Sequence, residues 1–332
     1  MKRVRLLIDC GTTNLRVTLL DEKMNVLDCK KASGGVRNTA IDGHDGRLKS
    51  LLKETIDCVL NGNGLTHENV LKCAAYGMIT SNMGLCEIAH LPAPVSAKRL
   101  ADAVIEKEFK DIAPFPISFI PGVKSFSEAV TPENFSGMDM MRGEETEAIG
   151  LYSLLKPDGN SIFVLPGSHN KFVYVNEDGE ITGSMTTVSG ELLDAVTKHT
   201  ILADSAESVF ADEKEYMTEA VTAGARECAA SGIGKALFGG RILSTLGKKE
   251  AAFIRSYLLG AVFASDIEAL DSFMKKMGRA KIYIAGKTVF KRALYDCMNA
   301  MTDWVICAVS KDLSDRMGIE GAKVIAFRTQ GI

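Results

Sequence analysis

The chain opens on a short apolar run, VRLLID, then a polar turn, CGTTN, then a second apolar run, LRVTLLD. EKMN makes a further tight turn into VLDCKKA. Short apolar runs joined by short polar turns predict strands in an antiparallel meander. The period then changes. In RLKSLLKETIDCVLNGNG the apolar residues recur at three- and four-residue spacing and glycines follow, which predicts a helix and its end. VLKCAAYGM reads as a buried strand, LADAVIEKEF as a short helix and PISFIPGV as another strand. Residues 139–155, DMMRGEETEAIGLYSLL, predict an amphipathic helix after a glycine turn, and KPDGN breaks the chain.

The opening pattern then returns. SIFVLPGSHNKFVYVNEDGEI is again strand, glycine turn, strand and hairpin turn, about half a chain after the first. Two such units, each followed by helices, imply two similar α/β halves facing each other across a cleft, residues 1–156 and 157–332. After residue 190 the pattern is mostly helical: ELLDAVTKHTILAD, EYMTEAVTAGARECAAS and AAFIRSYLLGAVFASDIEALDSFMKKMG. A strand, AKIYIAG, leads into a helix, TVFKRALYDCMNAM, followed by strand WVICAV and a short C-terminal segment.

Composition narrows the classes. Apolar residues make up 46% and charged residues 24%, as in a globular protein, and 332 residues suffice for two medium domains. A net charge of −3 lacks the basic excess that nucleic acid or an anionic membrane surface would want. The eight cysteines form no CxxC pair and no zinc-spaced cluster with histidine, so they read as reduced core thiols. No apolar run reaches the ~20 residues of a membrane helix. The expectation is a cytoplasmic protein with small-molecule partners; the pattern leaves a homo-oligomer open.

Four places carry candidate chemistry. In the first turn, Asp9 ends a strand and Gly11, Thr12 and Thr13 follow. Glycine lets backbone N–H groups approach an anion, the threonines add hydroxyl donors, and a carboxylate there suits Mg²⁺ beside phosphate oxygens. Pro166-Gly167-Ser168-His169-Asn170-Lys171 holds the same place in the second half. Either turn alone is equally well an ordinary hairpin; the matched pair points to a nucleotide. Arg142-Gly143-Glu144-Glu145-Thr146 places two acids at a helix start, where the dipole favours them and where one can serve as a general base. Ala285-Gly286-Lys287 is a strand-to-helix turn against which a flat base could lie. No Walker A, GxGxxG, GxSxG or HExxH pattern is present.

IDCGTTNLR, its repeat at LPGSHNKFVYVNEDG, and IAGK resemble the phosphate-1, phosphate-2 and adenosine signatures of the actin/Hsp70/sugar-kinase superfamily. RGEET and the LPGSHNK–SGELLDAV pair are most similar to the 2-dehydro-3-deoxygalactonokinase family, and matching segments run in order along nearly the whole chain. The resemblance implies two ribonuclease-H-like (actin-like ATPase) domains flanking a nucleotide cleft. It implies Mg-ATP as cofactor and phosphorylation of 2-dehydro-3-deoxy-D-galactonate to its 6-phosphate, as in galactonate degradation. Asp9 would serve Mg²⁺. Gly11, Thr12, Thr13, Gly167, Ser168, His169 and Lys171 would hold phosphate, with Gly286 and Lys287 near adenine. Glu144 would be the base, with Glu145 the runner-up. Asn14, Arg16, Ser81, Asn82 and Arg142 would lie on the sugar side. In GMITSNMGLCEI, Asn82 and Leu85 stand where the family pattern has Arg and Trp, so a kinase for another sugar acid stays open. A non-catalytic nucleotide-binding regulator on the same scaffold is the alternative of a different class.

Overall fold

The structure is a computed structural model and describes residues 2–126, 128–286 and 288–327. The chain divides into two compact units. One takes in the described residues of Met1–Lys156, Gly179–Gly183 and Arg316–Ile332, the other Pro157–Asp178 and Ser184–Asp315. The division at Lys156 coincides with the KPDGN break. The expected second half, 157–332, was continuous; the grouping instead returns the last helix to the first unit.

The first unit starts with strands β1 (Val4–Cys10), β2 (Asn14–Asp21) and β3 (Val26–Ser33), then helices α1 (Val36–Asp42) and α2 (Gly46–Asn61) and strand β4 (Val70–Gly77). Next come β5 (Leu91–Pro92), α3 (Ala97–Asp102), β6 (Ile105–Lys107), β7 (Ile117–Phe119), β8 (Val123–Lys124), β9 (Met140–Met141) and α4 (Glu144–Leu155). The main sheet runs β3-β2-β1-β4-β7-β6. β1 pairs antiparallel with β2 and parallel with β4. It is therefore central, which is why its sequence is an almost unbroken apolar run. Leu6 and Ile8 of β1 and Val17 and Leu19 of β2 share a core with Leu48, Leu52, Ile56 and Val59 of α2. Those four recur at helical spacing, so one face of α2 is buried.

The second unit repeats the start: β10 (Ser161–Leu165), β11 (Asn170–Val175) and β12 (Ile181–Thr187), then α5 (Ser189–His199). Helices α6 (Ala203–Ala206), α7 (Thr218–Ser231), α8 (Ile233–Thr245) and α9 (Ala251–Met277) follow. The chain continues through β13 (Lys281–Ile284), α10 (Thr288–Met301), β14 (Ile306–Ala308) and α11 (Lys311–Ala326). The sheet order is β12-β11-β10-β13-β14. β10 again pairs antiparallel with its hairpin partner and parallel with the later strand β13. Ile162, Val164 and Phe172 of the sheet pack with Leu258, Val262 and Ile267 of α9.

Three expected elements differ. LADAVIEKEF is a helix only as far as Asp102; Ile105–Lys107 is an exposed edge strand antiparallel to β7. The helix expected over 139–155 begins at Glu144, because Met140–Met141 pairs with β8 and Gly143 (φ 112°) turns the chain. The short C-terminal segment is the 16-residue helix α11.

Candidate active site

Each hairpin turn is backed by the helix that follows its third strand. In the first unit, the N–H groups of Val36 and Arg37 donate to the carbonyls of Gly11 (3.3 Å) and Thr12 (3.0 Å). This approach requires Gly35, since a Cβ there would lie 2.2 Å from Gly11 O. In the second unit, Glu191 N–H donates to Ser168 O at 3.0 Å, and a Cβ on Gly190 would lie 2.1 Å from Gly167 O. The loop carbonyls are thus turned toward the helix start. Among the described residues, the main-chain N–H groups of Thr12, Thr13, Ser168 and His169 donate to no protein acceptor. Thr12, Thr13, Asn14, Ser168 and His169 are exposed. A short turn with outward, unspent N–H groups and hydroxyls is suited to phosphate oxygens.

Closure of the two turns differs. Residues 11–14 lie between the paired Cys10 and Leu15, and Gly11 N–H donates to the main-chain oxygen of Asn14 at 2.9 Å. Residues 166–170, one more, lie between the paired Leu165 and Lys171. There Gly167 N–H donates to the side-chain Oδ1 of Asn170 at 3.1 Å.

Acids gather beside the first turn. Asp9 faces Arg16 across the hairpin, with Nη1 3.8 Å from Oδ2. Burial raises the Asp9 pKa above the ordinary carboxylate value, and Arg16 opposes the rise. The start of α4 comes in over Gly77, the end of β4, and a Cβ on Gly143 would lie 3.3 Å from Gly77 Cα. Glu144 is partly exposed, and its Oε2 accepts from Arg142 N–H at 3.0 Å. Glu145 is fully buried. Its carboxyl accepts from Gly143 N–H (2.8 Å) and from the Thr146 hydroxyl (3.1 Å), and burial, then Glu144, pushes its pKa up to about 8. Glu145 therefore ties down the helix start, whereas Glu144 stays open to a ligand. Glu147, one turn on from Glu144, was passed over in the sequence. Burial and the neighbouring Glu144, Asp9 and Glu145 carboxylates raise its pKa well above the usual range. The i, i+3 spacing of Glu144 and Glu147 was the signal available for it.

Arg142 braces rather than projects. Its Nη1 donates to Thr80 Oγ1 (2.9 Å) and its Nη2 to Ile88 O (2.6 Å). This holds the 78–90 segment against the start of α4. Ser81 is buried in that segment with its hydroxyl donating to Met78 O at 2.7 Å, while Asn82 is exposed. In the second unit Lys171 is buried and donates to the Thr186 hydroxyl, and His169 lies 3.1 Å from the Glu191 carboxylate. Gly286, at φ 94°, receives its anchor from Ser314 Oγ, to which its N–H donates at 3.2 Å. Lys287 lies outside the described residues. A cavity of about 400 Å³ opens beside α10, lined by Tyr216, Val289, Arg292, Tyr295 and Ala308 among others. The Arg292 guanidinium sits 4.2 Å from the centre of the Tyr216 ring.

Residues 9–317 match the family model described as 2-keto-3-deoxy-galactonokinase. The chain belongs to this family. It is 26% identical over 223 residues to a probable 2-dehydro-3-deoxygalactonokinase of Rhizobium meliloti, a match that spans 65% of this chain and 64% of that relative. The fold is similar to the crystal structure of a candidate 2-dehydro-3-deoxygalactonokinase from Sinorhizobium meliloti (TM-score 0.75, 22% identity), covering 97% of this chain and 99% of that one. It is also similar to component A of (R)-2-hydroxyglutaryl-CoA dehydratase from Acidaminococcus fermentans (TM-score 0.53, 13% identity, 98% of both chains). The architecture is thus the ribonuclease-H-like one of actin-like ATPases and sugar kinases.

For a member of the 2-keto-3-deoxy-galactonokinase family, the metal expected is Mg²⁺. Among the described residues, no group of three or more His, Cys, Asp or Glu side chains could hold a metal ion by itself. Mg²⁺ keeps its waters and takes only one or two carboxylates together with phosphate oxygens. Asp9, with its side chain 35% exposed beside the first turn, has the right chemistry for this.

Proposed function

We propose that the protein is a kinase that transfers the γ-phosphoryl group of Mg-ATP to 2-dehydro-3-deoxy-D-galactonate at its 6-hydroxyl. The observation that carries this reading is the pair of turns, each backed by a glycine so that loop carbonyls face a helix start and N–H groups are left unspent. Each turn is suited to phosphate oxygens, and the two hold the same place in the two halves of the chain. Beside the first turn stand Asp9, Glu144 and Glu147, a carboxylate cluster that suits a reaction centre there.

In this reading Thr12, Thr13 and Ser168 donate to phosphate oxygens and Asp9 anchors the metal. The ion, when bound, neutralises charge on the transferring phosphate. The sugar hydroxyl oxygen bonds to the γ-phosphorus as the bond to the ADP oxygen breaks, and Glu144 takes the hydroxyl proton. Glu145 is protonated and buried at neutral pH and does not compete for this role. The base of ATP occupies the cavity beside α10, whose lining includes Tyr216, Tyr295 and Arg292. Arg142 and the 78–90 segment form the sugar-acid side, with Asn82 among its exposed members.

The test is a coupled assay of ADP release from Mg-ATP over a panel of sugar acids. The expected result is release that depends on 2-dehydro-3-deoxygalactonate. Release with a different sugar acid would move the substrate and keep the chemistry, a reading that the exposed Asn82 supports. Tight ATP binding with no sugar-dependent ADP release would leave a nucleotide-binding regulator and end the kinase assignment.

A further inference from the structure

We propose that Asp266, in the middle of α9, is a positioning residue that fixes the second phosphate turn from beneath. It is 1% exposed, among the apolar residues of a long helix whose neighbours form the core of the second unit. Its carboxylate accepts from Asn170 Nδ2 at 2.7 Å and from the Ser189 hydroxyl. These two donors belong to opposite sides of the turn. Asn170 is itself 0% exposed, and its other amide atom, Oδ1, accepts from Gly167 N–H. Ser189 begins α5 and precedes Gly190, the residue on which Gly167 and Ser168 rest.

An amide side chain free to flip can offer Gly167 either an acceptor or a donor, and only the acceptor closes the turn. Asp266 settles the choice, because a carboxylate accepts and does not donate. The same carboxylate ties the first residue of α5, so the helix start and the turn are held to one point. A buried carboxylate is costly unless hydrogen-bonded. Burial indeed raises the pKa of Asp266, and the Ser189, Asn170 and Thr187 side chains work against the rise. A residue serving only packing would be apolar here, as its neighbours Ala264 and Ile267 are. Among the described residues the first turn has no such tether; it is closed by its own main chain.

This inference rests on the reading of residues 166–170 as a phosphate turn, so the wild-type protein is assayed first. If it neither binds nor consumes ATP, that reading fails before the role of Asp266 is asked. Given wild-type activity, steady-state kinetics on folded Asp266→Ala and Asn170→Ala are expected to show KM for Mg-ATP raised about tenfold, the effect of one well-placed hydrogen bond. KM for the sugar acid should stay within about twofold. The double variant should be little worse than either single, since both act through one chain of bonds. Asp266→Asn should recover most of the ATP affinity, because it keeps an acceptor for Asn170 and the Ser189 hydroxyl can turn to accept. An unchanged KM for ATP in Asp266→Ala, or an equal rise for both substrates, overturns the proposal. Should Asp266→Ala fail to fold, Asn170→Ala combined with Ser189→Ala carries the same test: a raised KM for ATP supports the proposal and an unchanged one rejects it.

Discussion

The two glycine turns share a frame and differ in what surrounds them. The first is shorter by one residue, closes on its own main chain, and has Asp9 and Arg16 on the strands that form it. The second has the apolar Val164 and Leu165 at the corresponding strand end, and closes through a buried Asn170 held by a buried Asp266. In the first copy the polar groups of the flanking strands, Asp9 and Arg16, stay partly exposed beside the turn. In the second the groups that close the turn, Asn170 and Asp266, lie in the core and fix the backbone. A duplicated scaffold can thus divide labour: charge and chemistry in one copy, rigid anion holding in the other.

The sharpest way to break this comparison is to remove the acids of the first unit. Glu144→Gln should lower kcat by about a hundredfold or more, with KM for ATP little changed, as loss of a general base does. ADP-release kinetics check it, and Glu145→Gln should fall far short of that loss. Asp9→Asn should come next, with a drop of roughly tenfold to a hundredfold in kcat and a raised Mg²⁺ requirement. It is read from a magnesium titration of the rate. No acid in the second turn has an equivalent effect to lose.

Smaller effects test what the turns have in common. Gly35→Ala and Gly190→Ala each force a Cβ against a main-chain oxygen, at 2.2 and 2.1 Å. Each should destabilise the protein by ~1–3 kcal/mol and raise KM for ATP. Gly137→Ala, where an added Cβ meets nothing within 4 Å, is the control. Denaturant unfolding and ATP titration check both. A clear penalty at one site and none at the other would show that the two cradles are not equivalent.

A further effect, on stability and not on turnover, is in pH dependence. Glu145 has a folded pKa of about 8 against an ordinary value of 4.5, so the folded protein holds a proton that the unfolded chain releases. Its contribution favours folding at low pH and is lost as pH rises from about 4.5 to about 8. Glu145→Gln should flatten that part of the profile, measured as thermal midpoints across the range.

Much of this was legible in the sequence. The hairpins showed because apolar runs alternate with short polar turns, and the repeat showed because the turn chemistry came twice. Glu144 and Glu145 were visible together, but their separation into a partly exposed acid and a buried one depends on packing around α4. Helix α8 was hidden by Gly234, Gly239 and Gly240, which lower helix propensity, and β6 by the helical look of AVIEKEF. Arg142 was visible as a candidate for the sugar side, but its bracing of Thr80 and Ile88 was not, because those partners are far away in sequence. Asp266 gave no signal at all, since a lone acid in a long helix reads as a solvent-facing residue until its burial is known.

Main-chain amide hydrogen exchange, with and without a non-hydrolysable Mg-ATP analogue, addresses the shared role of the turns most directly. The account predicts slowed exchange at residues 11–14 and at residues 167–170 in the same titration, with one midpoint. Protection confined to one turn, or two midpoints at different analogue concentrations, would contradict it.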